Sequence, residues 1–468
     1  MNEVKTYIQN FFAGKNIAIP EKRNYLLEEL AGDNRLVNAV NQIIENQKLL
    51  MEKWELKNRI TDIIEHAVTI PNGTVGKSYK TTLNFPAWGW NDIISSEVEG
   101  LEAIGLQYDN SNQVISGIPL QSGDIKIKLQ FHLAQEEPDS KLNEKVISLV
   151  INPDPKSLWK NTESDKNDPY WKEDSATAFE KLGDKHIVVA SKRGRSHANS
   201  GSSRDDDFAF KHYANGWSIV AVADGAGSAK LAREGSKISC SETVDYFETQ
   251  FTEEVVTDLD SLLKEHNEKT GEDTSGRLNS FVYNFLGKAA FHIHKKLEDF
   301  ANQKEVSIKD LHSTLIFALL KKYDFGYAIF SFGVGDCPIG LLNKDVSEIV
   351  LMNWLDVGDF GGGTRFITMP EIFKSDKFYT RFRLKIVDDF SYLMLMTDGI
   401  YDPKFVVEAN LEKIEKWQDF LKDLNGNNED NANVEFNAEN NNIKEQLSAW
   451  MDFWSSGNHD DRTLAIVF

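Results

Sequence analysis

The spacing of apolar residues along the chain changes near residue 67. Before that point, apolar residues recur mostly three and four positions apart with charges between them, which is typical of amphipathic helices. From 67 to 153, short alternating runs such as Asp124 to His132 and Lys145 to Asn152 are separated by turn residues, which favours strands. The pattern predicts a helical N-terminal segment over 1–66, most simply a small bundle, and a small β-sandwich over 67–153. A partner-binding or dimerising helix is the less favoured alternative because clean heptads are absent.

The chain beyond residue 153 begins with a polar, proline-containing stretch, 154–184, which we interpret as a linker. From 185 to 468, strand and helix patterns are mixed, which predicts one large unit of α and β structure. The strongest strand signal is the apolar run over 217–223, and the last strand is expected over 463–468. Helical patterns lie at about 228–250 and 275–303.

An insertion is predicted within this large unit, over residues 403–450. It combines an amphipathic helix over Phe405–Leu424 with an asparagine-rich stretch over Asn425–Asn442. We expect that stretch to be a solvated, mobile loop, because it holds few apolar residues that could anchor it. The predicted fold class of the whole chain is α+β.

Length and composition restrict the possible functions. A chain of 468 residues exceeds what one hydrophobic core usually serves, so two or three domains are expected. The net charge of −21 argues against nucleic acid or an anionic membrane as the main partner. The two cysteines, Cys240 and Cys337, form no CxxC pair, which favours a reducing compartment. With no signal-peptide pattern and no long apolar run, we predict a cytoplasmic protein.

The candidate chemistry lies where apolar strands end. Two strands end in the dipeptide Asp-Gly, at Asp224-Gly225 and at Asp398-Gly399, and further acidic clusters occur at Asp205 to Asp207, at Asp336 and at Asp460-Asp461. Carboxylates that meet at one edge repel each other unless cations neutralise them. Hard divalent cations such as Mg²⁺ and Mn²⁺ prefer oxygen ligands on rigid supports. The pattern therefore indicates a metal site, provided that these ends lie together.

Several motifs follow one another along residues 185–468: Arg193-Gly-Arg-Ser-His to Phe210, Ala223-Asp-Gly-Ala-Gly-Ser228, Ser313-Thr314, Gly333-Val-Gly-Asp-Cys337, the block from Gly358-Asp-Phe to Phe366-Ile-Thr, Met396-Thr-Asp-Gly-Ile-Tyr-Asp402 and Gly457-Asn-His-Asp-Asp-Arg-Thr463. In this order they resemble the motifs of the metal-dependent type-2C Ser/Thr protein phosphatases, in a bacterial branch. The resemblance implies a β-sandwich flanked by helices, with a binuclear metal centre at one end. It also implies hydrolysis of phosphoserine or phosphothreonine in proteins by an activated water, with two or three Mn²⁺ or Mg²⁺ ions.

Residue by residue, the resemblance implies that Asp224 bridges two metals and that the Gly225 carbonyl ligates one of them. Asp398 and Asp460 would hold the other metal. Asp206 matches the aspartate of the first motif, Asp205 stands where Glu or Gln is usual, and Asp336 matches a third, weaker position. These residues are the predicted metal ligands.

The sequence departs from the family at two positions. The arginine that usually grips phosphate would fall on Gly201, so Arg193, Arg195, Arg204 and His197 are the candidates to replace it. Some family members carry a histidine after Asp-Gly as a general acid, but this chain has Ala226, which leaves His197 or His459 as substitutes. The proton donor stays open at this point.

The sequence lacks the signature motifs of several other enzyme classes. No P-loop Gly-Lys-Ser/Thr is present, and Gly361–Gly363 is better explained as a loop than as a phosphate cradle. A haloacid-dehalogenase-type Asp-x-Asp-x-Thr after a strand and a Gly-x-Ser-x-Gly elbow are both missing. The alternative function from another class is a catalytically silent phosphoprotein-binding or adaptor module.

The β region 67–153 has a resemblance of its own. Gly100-Leu101, Gly105-Leu106, Asp109, Ile115 to Pro119 and Gly123 resemble an immunoglobulin-like repeat of bacterial proteins. Such modules mostly bind or space. We therefore expect the N-terminal domains to recognise a substrate or a partner, with a cognate Ser/Thr kinase as one candidate partner.

Overall fold

The structure is a computed structural model that describes residues 2–269, 273–356, 363–455 and 457–468. The chain divides into two compact units, Met1–Leu158 and Trp159–Phe468. The block predicted to begin at Gly358, and the first two glycines of Gly361–Gly363, lie outside the described residues. Among the described residues, we find no helix with the length and apolar character that crossing a bilayer requires.

The first unit begins with three helices and continues with two sheets. The helices are α1 (Asn2–Gly14), α2 (Asn24–Gly32) and α3 (Asn34–Glu65), and the strands are β1 (Gly73–Thr74), β2 (Tyr79–Thr82), β3 (Ile93–Glu99), β4 (Leu106–Asp109), β5 (Val114–Gly117), β6 (Gly123–Leu133) and β7 (Asn143–Asn152). Strands β1-β7-β6-β3 form one sheet and β2-β5-β4 form the other. Alternate residues of β6 and β7 are buried in the core that the two sheets share, as the period-two pattern predicted.

Helix α3 is fixed at both ends. The Asp33 carboxylate accepts hydrogen bonds from the backbone N–H groups of Arg35 and Leu36, which caps its N-terminus. At the other end, the buried Lys145 Nζ on β7 donates to the carbonyls of Ile64 (2.8 Å) and His66 (2.5 Å). The predicted helical segment is confirmed, whereas the immunoglobulin-like assignment of the β region stays a prediction.

The second unit is a sandwich of two antiparallel sheets between layers of helices. Its strands are β8 (Ser175–Leu182), β9 (Lys185–Lys192), β10 (Asp207–His212), β11 (Ser218–Ala223), β12 (Leu315–Tyr323), β13 (Gly326–Val334), β14 (Ile339–Asn343), β15 (Ile349–Leu351), β16 (Phe382–Val387), β17 (Phe390–Met396) and β18 (Arg462–Val467). Its α-helices are α4 (Arg195–Ser200), α5 (Ala232–Gln250), α6 (Glu253–Glu268), α7 (Thr274–Lys304), α8 (Asp398–Phe405), α9 (Ile414–Leu424) and α10 (Ile443–Trp450).

The sheets have the orders β10-β11-β12-β13-β16 and β15-β14-β17-β18-β9-β8. Residues of both sheets, among them Val189, Val222 and Leu395, form the core between them. Helices α5 to α7 cover the outer face of the first sheet, and α8 to α10 cover that of the second. The predicted α+β fold, a sandwich flanked by helices, is confirmed.

The C-terminal part of the predicted linker 154–184 is a β-strand in the structure. Residues Ser175–Leu182 form β8, which pairs along its whole length with β9. As an edge strand, it is half-exposed and carries polar residues, so its pattern lacks the continuous apolar run of a central strand. The large unit therefore begins before residue 185.

The predicted insertion 403–450 is also built differently. The helix expected over Phe405–Leu424 is divided, because α8 ends at Phe405 and α9 begins at Ile414. The stretch Asn425–Asn442 is not merely a solvated loop: Val434 is fully buried in the core with α8 to α10, and Asn428 Nδ2 donates to two backbone carbonyls. Ala432 and Phe436 of the same stretch also pack against this core, so apolar side chains and local asparagine hydrogen bonds together anchor it.

Candidate metal centre

The predicted carboxylates lie at one edge of the sandwich because neighbouring strands run in opposite directions. Asp207 at the start of β10 pairs with Ala223 at the end of β11, so Asp206 and Asp224 lie at the same edge. In the other sheet, the end of β17 pairs with the beginning of β18, which places Asp398 and the Asp460-Asp461 pair together. Antiparallel register therefore joins pieces of chain that are far apart in sequence.

Asp206 is 1% exposed and its two oxygens differ. Oδ2 accepts hydrogen bonds from the hydroxyls of Thr397 and Thr463, both at 2.8 Å. Oδ1 is buried and has no hydrogen-bond partner among the described residues. Burial, with the charges of Asp461 and Asp460, raises the pKa of Asp206 to about 7. The threonines hold one oxygen in place and leave the other available to a cation.

Asp224 and Asp398 share this electrostatic environment. Burial raises the pKa of Asp224 well above its usual value, and the charges of Asp398, Asp206, Asp460 and Asp336 add to that effect. Burial likewise raises the pKa of Asp398, with Asp460 as the strongest neighbouring charge. Asp398 Oδ1 is buried without a partner among the described residues. Like charges that disfavour one another's ionisation in this way are stabilised when a cation is bound between them.

The backbone around Asp224 is fixed by Thr314. The Thr314 hydroxyl accepts from the Asp224 N–H at 2.9 Å, and the Thr314 N–H donates to the Asp224 carbonyl at 2.8 Å. Ser313, next to it, forms a bridge with Gly225. The predicted Ser313-Thr314 motif thus acts through the backbone that carries the carboxylate.

Both Asp-Gly glycines are sites of close backbone packing. A Cβ on Gly225 would lie 2.6 Å from the carbonyl oxygen of Asp205, and one on Gly399 would overlap the carbonyl oxygen of Asp461. Each glycine therefore lets a second acidic segment approach the carboxylate that precedes it. The structure gives the glycines this packing role; the ligand role of the Gly225 carbonyl stays a prediction.

Asp336 is held at the end of a short turn. Gly335 has a φ of +106°, a conformation that favours glycine, and its N–H donates to Asp356 at 3.0 Å. Arg381 pairs with the same Asp356 carboxylate through both terminal nitrogens, at 2.5 and 2.9 Å. Thr364 donates to Asp336 Oδ2 at 2.7 Å, while Oδ1 is buried and unpartnered among the described residues. The pKa of Asp336 is raised, mainly by burial.

The neighbouring residues Asp460 and Asp461 have different surroundings. Asp461 is buried and accepts from the N–H groups of Gly194 and Asp205 and from His197 Nδ1, the last at 3.0 Å. Burial opposes its ionisation, but these donors, above all His197, lower the pKa of Asp461. Asp460 is partly exposed, and burial together with the charge of Asp461 raises its pKa. Asp460 is thus the member of the pair that is available as a ligand.

His197 lies between two carboxylates. Its Nδ1 contacts Asp461, and its Nε2 lies 3.5 Å from Asp205 Oδ2. Although burial opposes protonation, the hydrogen bond to Asp461 and the nearby negative charges raise the pKa of His197 to about 9. Asp205 has its pKa raised to about 6 by burial, against the opposing charge of His197. A protonated His197 thus stabilises the loop that carries Asp205 and Asp206.

The three predicted phosphate-binding arginines are already engaged. Arg204 is 3% exposed and donates to the carbonyl of Asp206 at 2.6 Å, to that of Glu173, and to Ser191. Arg193 contacts Ser202, Asn161 and Asp174. Arg195 stacks on Trp159 and donates to the Asp452 carbonyl. These contacts assign Arg204 to the support of Asp206 and not to the binding of phosphate.

Sequence reasoning missed Lys172, which lies in the predicted linker. Its buried Nζ forms an ion pair with Asp207 at 2.9 Å and donates to the Asp206 carbonyl at 2.7 Å. It also reaches Ser236 on α5 at 3.2 Å. Nothing in the local sequence marks this lysine, whereas Thr397 and Thr463 stand inside the motifs that were recognised.

The side chains fit a divalent cation by three observations. Asp206, Asp336 and Asp398 each present a buried carboxylate oxygen without a partner among the described residues. Burial first, and neighbouring carboxylates after it, raise the pKa of each of these three side chains. Ligand atoms of Asp224, Asp336 and Cys337 all lie within 4.8 Å of one another. Oxygen donors predominate, which suits Mn²⁺ and Mg²⁺.

A β-sandwich that carries such a rim of carboxylates is suited to metal-dependent catalysis. A family model described as protein phosphatase 2C matches residues 193–452, which is more than half of the chain. The chain belongs to the protein phosphatase 2C family. It is therefore a metal-dependent Ser/Thr protein phosphatase that uses Mn²⁺ or Mg²⁺ and acts on phosphorylated proteins, and the predicted family is confirmed.

Solved structures are similar to the chain only at a distance. The serine/threonine phosphatase Stp1 from Staphylococcus aureus has 14% identity and a TM-score of 0.37, with 62% of this chain and 96% of that chain covered. The S. agalactiae serine/threonine phosphatase has 14% identity and a TM-score of 0.33, covering 61% and 99%. The catalytic domain of PstP, solved with two manganese ions, has 13% identity and a TM-score of 0.32, covering 60% and 96%. No curated protein sequence matches the chain.

Proposed function

We propose that the second unit hydrolyses phosphoserine and phosphothreonine in proteins at a binuclear Mn²⁺ or Mg²⁺ centre. Two ions would be held by Asp206, Asp224, Asp398, Asp460 and the Gly225 carbonyl. A third ion would be bound by Asp336, and Asp205 is a further candidate ligand. The observation that carries the proposal is the set of buried, unpartnered carboxylate oxygens at one sheet edge. When bound, the ions supply Lewis acidity, which lowers the pKa of water and neutralises charge that develops on phosphorus.

The protein's own residues position the ligands and fix their charge. Thr397 and Thr463 orient Asp206 through Oδ2, so that Oδ1, which has no partner among the described residues, stays available to an ion. Lys172 and Arg204 both donate to the backbone carbonyl of Asp206, which fixes the position of this residue in the loop before β10. Such support for ligands typically decides metal affinity and geometry.

The phosphate group of the substrate would be neutralised by the ions and not by an arginine. Arg193, Arg195 and Arg204 all have other partners, as described above. Of the two candidate proton donors, His197 contacts carboxylates through both ring nitrogens, whereas His459 lines an open cavity beside Asp460. We therefore propose His459 as the better candidate to protonate the leaving group.

The test is Mn²⁺-dependent hydrolysis of p-nitrophenyl phosphate and of phosphothreonine peptides by the full chain. We expect activity that EDTA abolishes and that Asp224→Asn lowers by at least about 100-fold, because the shared carboxylate is lost. Asp376→Asn, at an exposed aspartate outside the site, is the matched control. Phosphopeptide binding without any hydrolysis in excess Mn²⁺ would instead favour the silent adaptor.

The first unit is proposed to recognise a substrate or a partner, with a cognate Ser/Thr kinase as one candidate. What supports this is a run of exposed apolar side chains in the middle of α3, among them Leu50 (72% exposed) and Trp54 (71% exposed). Replacing both with lysine is expected to reduce activity on a phosphoprotein substrate and to leave hydrolysis of p-nitrophenyl phosphate unchanged. If the variant retained wild-type activity on the phosphoprotein as well as on p-nitrophenyl phosphate, this role would be contradicted.

A further inference from the structure

A cavity of about 970 Å³ lies directly beside the carboxylate rim. Asp460, a predicted metal ligand, forms part of its wall, and Asp402 and His459 lie next to it. The other walls come from α8 and the residues after it, and from the segment that precedes β18. A phosphorylated residue bound at the metal centre would place its neighbours along the peptide at the mouth of this cavity.

The charges in the cavity favour a cation. Asp402 and Glu429 line it in addition to Asp460. The basic lining residue is Lys404, but its Nζ is bonded to both oxygens of Asp423, at 2.8 and 2.9 Å. Lys404 Nζ also lies 3.9 Å from the ring centroid of Phe453, so its charge is turned into the wall. Asp402, whose carboxylate accepts from the neutral amide of Asn458, therefore leaves a negative charge in this wall that is separate from the proposed metal ligands.

The cavity also offers apolar surface to an occupant. Trp454 and Val406 line it with 42% and 76% of their surface exposed. Val406 has a φ of +69°, which is costly for a β-branched residue, and its N–H donates to the Asp402 carbonyl at 2.9 Å. Backbone strain of this kind clusters at active sites and at sites that clamp ligands. A long aliphatic stem could pack against these two side chains.

Hydrogen bonds within the protein hold the walls of the cavity in place. Arg462 donates to the Phe453 carbonyl at 2.8 Å and to Ser455 at 3.2 Å, which fixes the segment that carries Trp454. Asn458 Nδ2 donates to Asp402 Oδ2 at 3.3 Å and so joins the two walls. A site that is formed before binding loses little conformational entropy when it is occupied.

We propose that this cavity binds a lysine or arginine side chain that flanks the phosphorylated residue of the substrate protein. The aliphatic stem packs on Val406 and Trp454, and the cationic end lies over the indole face and near Asp402. The phosphatase thereby selects phosphorylation sites with a basic neighbour. This inference rests on the proposed phosphatase function.

The test is a set of phosphothreonine peptides that differ only in one flanking residue, which is arginine, alanine, leucine or glutamate at each position in turn. For the full chain with Mn²⁺, we expect kcat/KM to be about fivefold higher for arginine than for alanine at one position at least. Glutamate should be the poorest substrate there. Added salt should reduce the preference, because the cavity mouth is open to solvent.

Two variants then locate the preference. In Trp454→Ala and in Asp402→Asn, the ratio of kcat/KM between the arginine and alanine peptides should fall towards one. A ratio measured within one enzyme cancels any loss in the chemical step. Tyr379→Ala, which removes an exposed aromatic side chain that does not line the cavity, should keep the wild-type ratio.

The outcomes separate the two proposals. Hydrolysis of all peptides with no charge preference, with a preference for leucine, or with a ratio that both variants retain would overturn the cavity assignment and leave the phosphatase function standing. Failure to hydrolyse both p-nitrophenyl phosphate and every peptide would overturn the proposed function and the cavity assignment together.

Discussion

Asp206 and Asp461 lie at the same edge of the sandwich and are equally buried, each 1% exposed, yet their surroundings favour opposite charge states. Asp461 receives two backbone N–H groups and His197, and its pKa is lowered. Asp206 receives two hydroxyls on one oxygen and none on the other, and its pKa is raised to about 7. Burial alone therefore does not decide the state of a carboxylate. Protein donors satisfy both oxygens of Asp461, whereas one oxygen of Asp206 is left for a cation.

The largest expected effect comes from Asp206→Asn. Activity with Mn²⁺ should fall by at least about 100-fold, because an oxygen ligand is lost. In EDTA the variant should be at least as stable as the wild type, because a carboxylate with a raised pKa destabilises the folded state when it ionises. Steady-state kinetics and thermal unfolding with and without Mn²⁺ measure both effects. Marked destabilisation in EDTA would show that Asp206 is a structural residue like Asp461.

Asp461→Ala tests the other side of the comparison. We expect a loss of about 3 kcal/mol or more in the free energy of unfolding, because two buried N–H groups and a protonated His197 lose their acceptor. Denaturant titration in EDTA measures it. Asp461→Asn, which keeps one acceptor oxygen, should lose less. A loss of activity with unchanged stability would show that Asp461 is a metal ligand and would contradict the proposed difference between Asp461 and Asp206.

The pH dependence of stability tests the pair formed by His197 and Asp461. The pKa of His197 is raised from 6.5 to about 9, so its stabilising contribution is complete below pH 6.5 and is lost as the pH rises through 9. We expect about 1–3 kcal/mol from this group across that window. Unfolding of the metal-free protein at several pH values should show the loss, and His197→Ala should flatten the curve. His186→Ala is the control, and an equally steep curve in His197→Ala would contradict the assignment.

The smallest expected effect belongs to Thr463→Val, which keeps the shape of the side chain. It removes one of the two hydroxyls on Asp206 and the contact with Ser191. Stability should fall by about 1 kcal/mol, and Mn²⁺ should bind about tenfold more weakly. Calorimetric Mn²⁺ titration measures the affinity, with Thr257→Val on the exposed face of α6 as the control. Unchanged affinity would mean that Asp206 needs no orientation by hydroxyls.

The sequence alone allowed the sandwich and its carboxylate edge to be predicted, because strand signals and acidic residues adjoin each other along the chain. Central strands such as β11 are buried on both faces and read as continuous apolar runs. The edge strand β8 was missed because its residues are half-exposed and polar. Lys172 was missed for a related reason, since a buried lysine is defined by partners that are distant in sequence, such as Asp207.

The division of work between neighbouring aspartates could not be predicted either. Asp460 and Asp461 are the same residue type in adjacent positions, and only the fold decides which one meets Gly194 and His197. The same holds for Arg204, whose guanidinium turned out to support the backbone of Asp206. Motifs locate the chemistry, but the donors that surround each side chain set its role.

Gly225 and Gly399 have a consequence for mutational surveys. A screen that scores only phosphatase activity would group substitutions at these glycines with substitutions of the carboxylates beside them. Any side chain there would collide with the backbone of Asp205 or Asp461, so the protein would be damaged before a metal could bind. A screen that also scores the amount of folded protein in the cell would separate the two groups. Loss of function at the glycines is then a defect of abundance, and loss of function at the carboxylates is a defect of turnover.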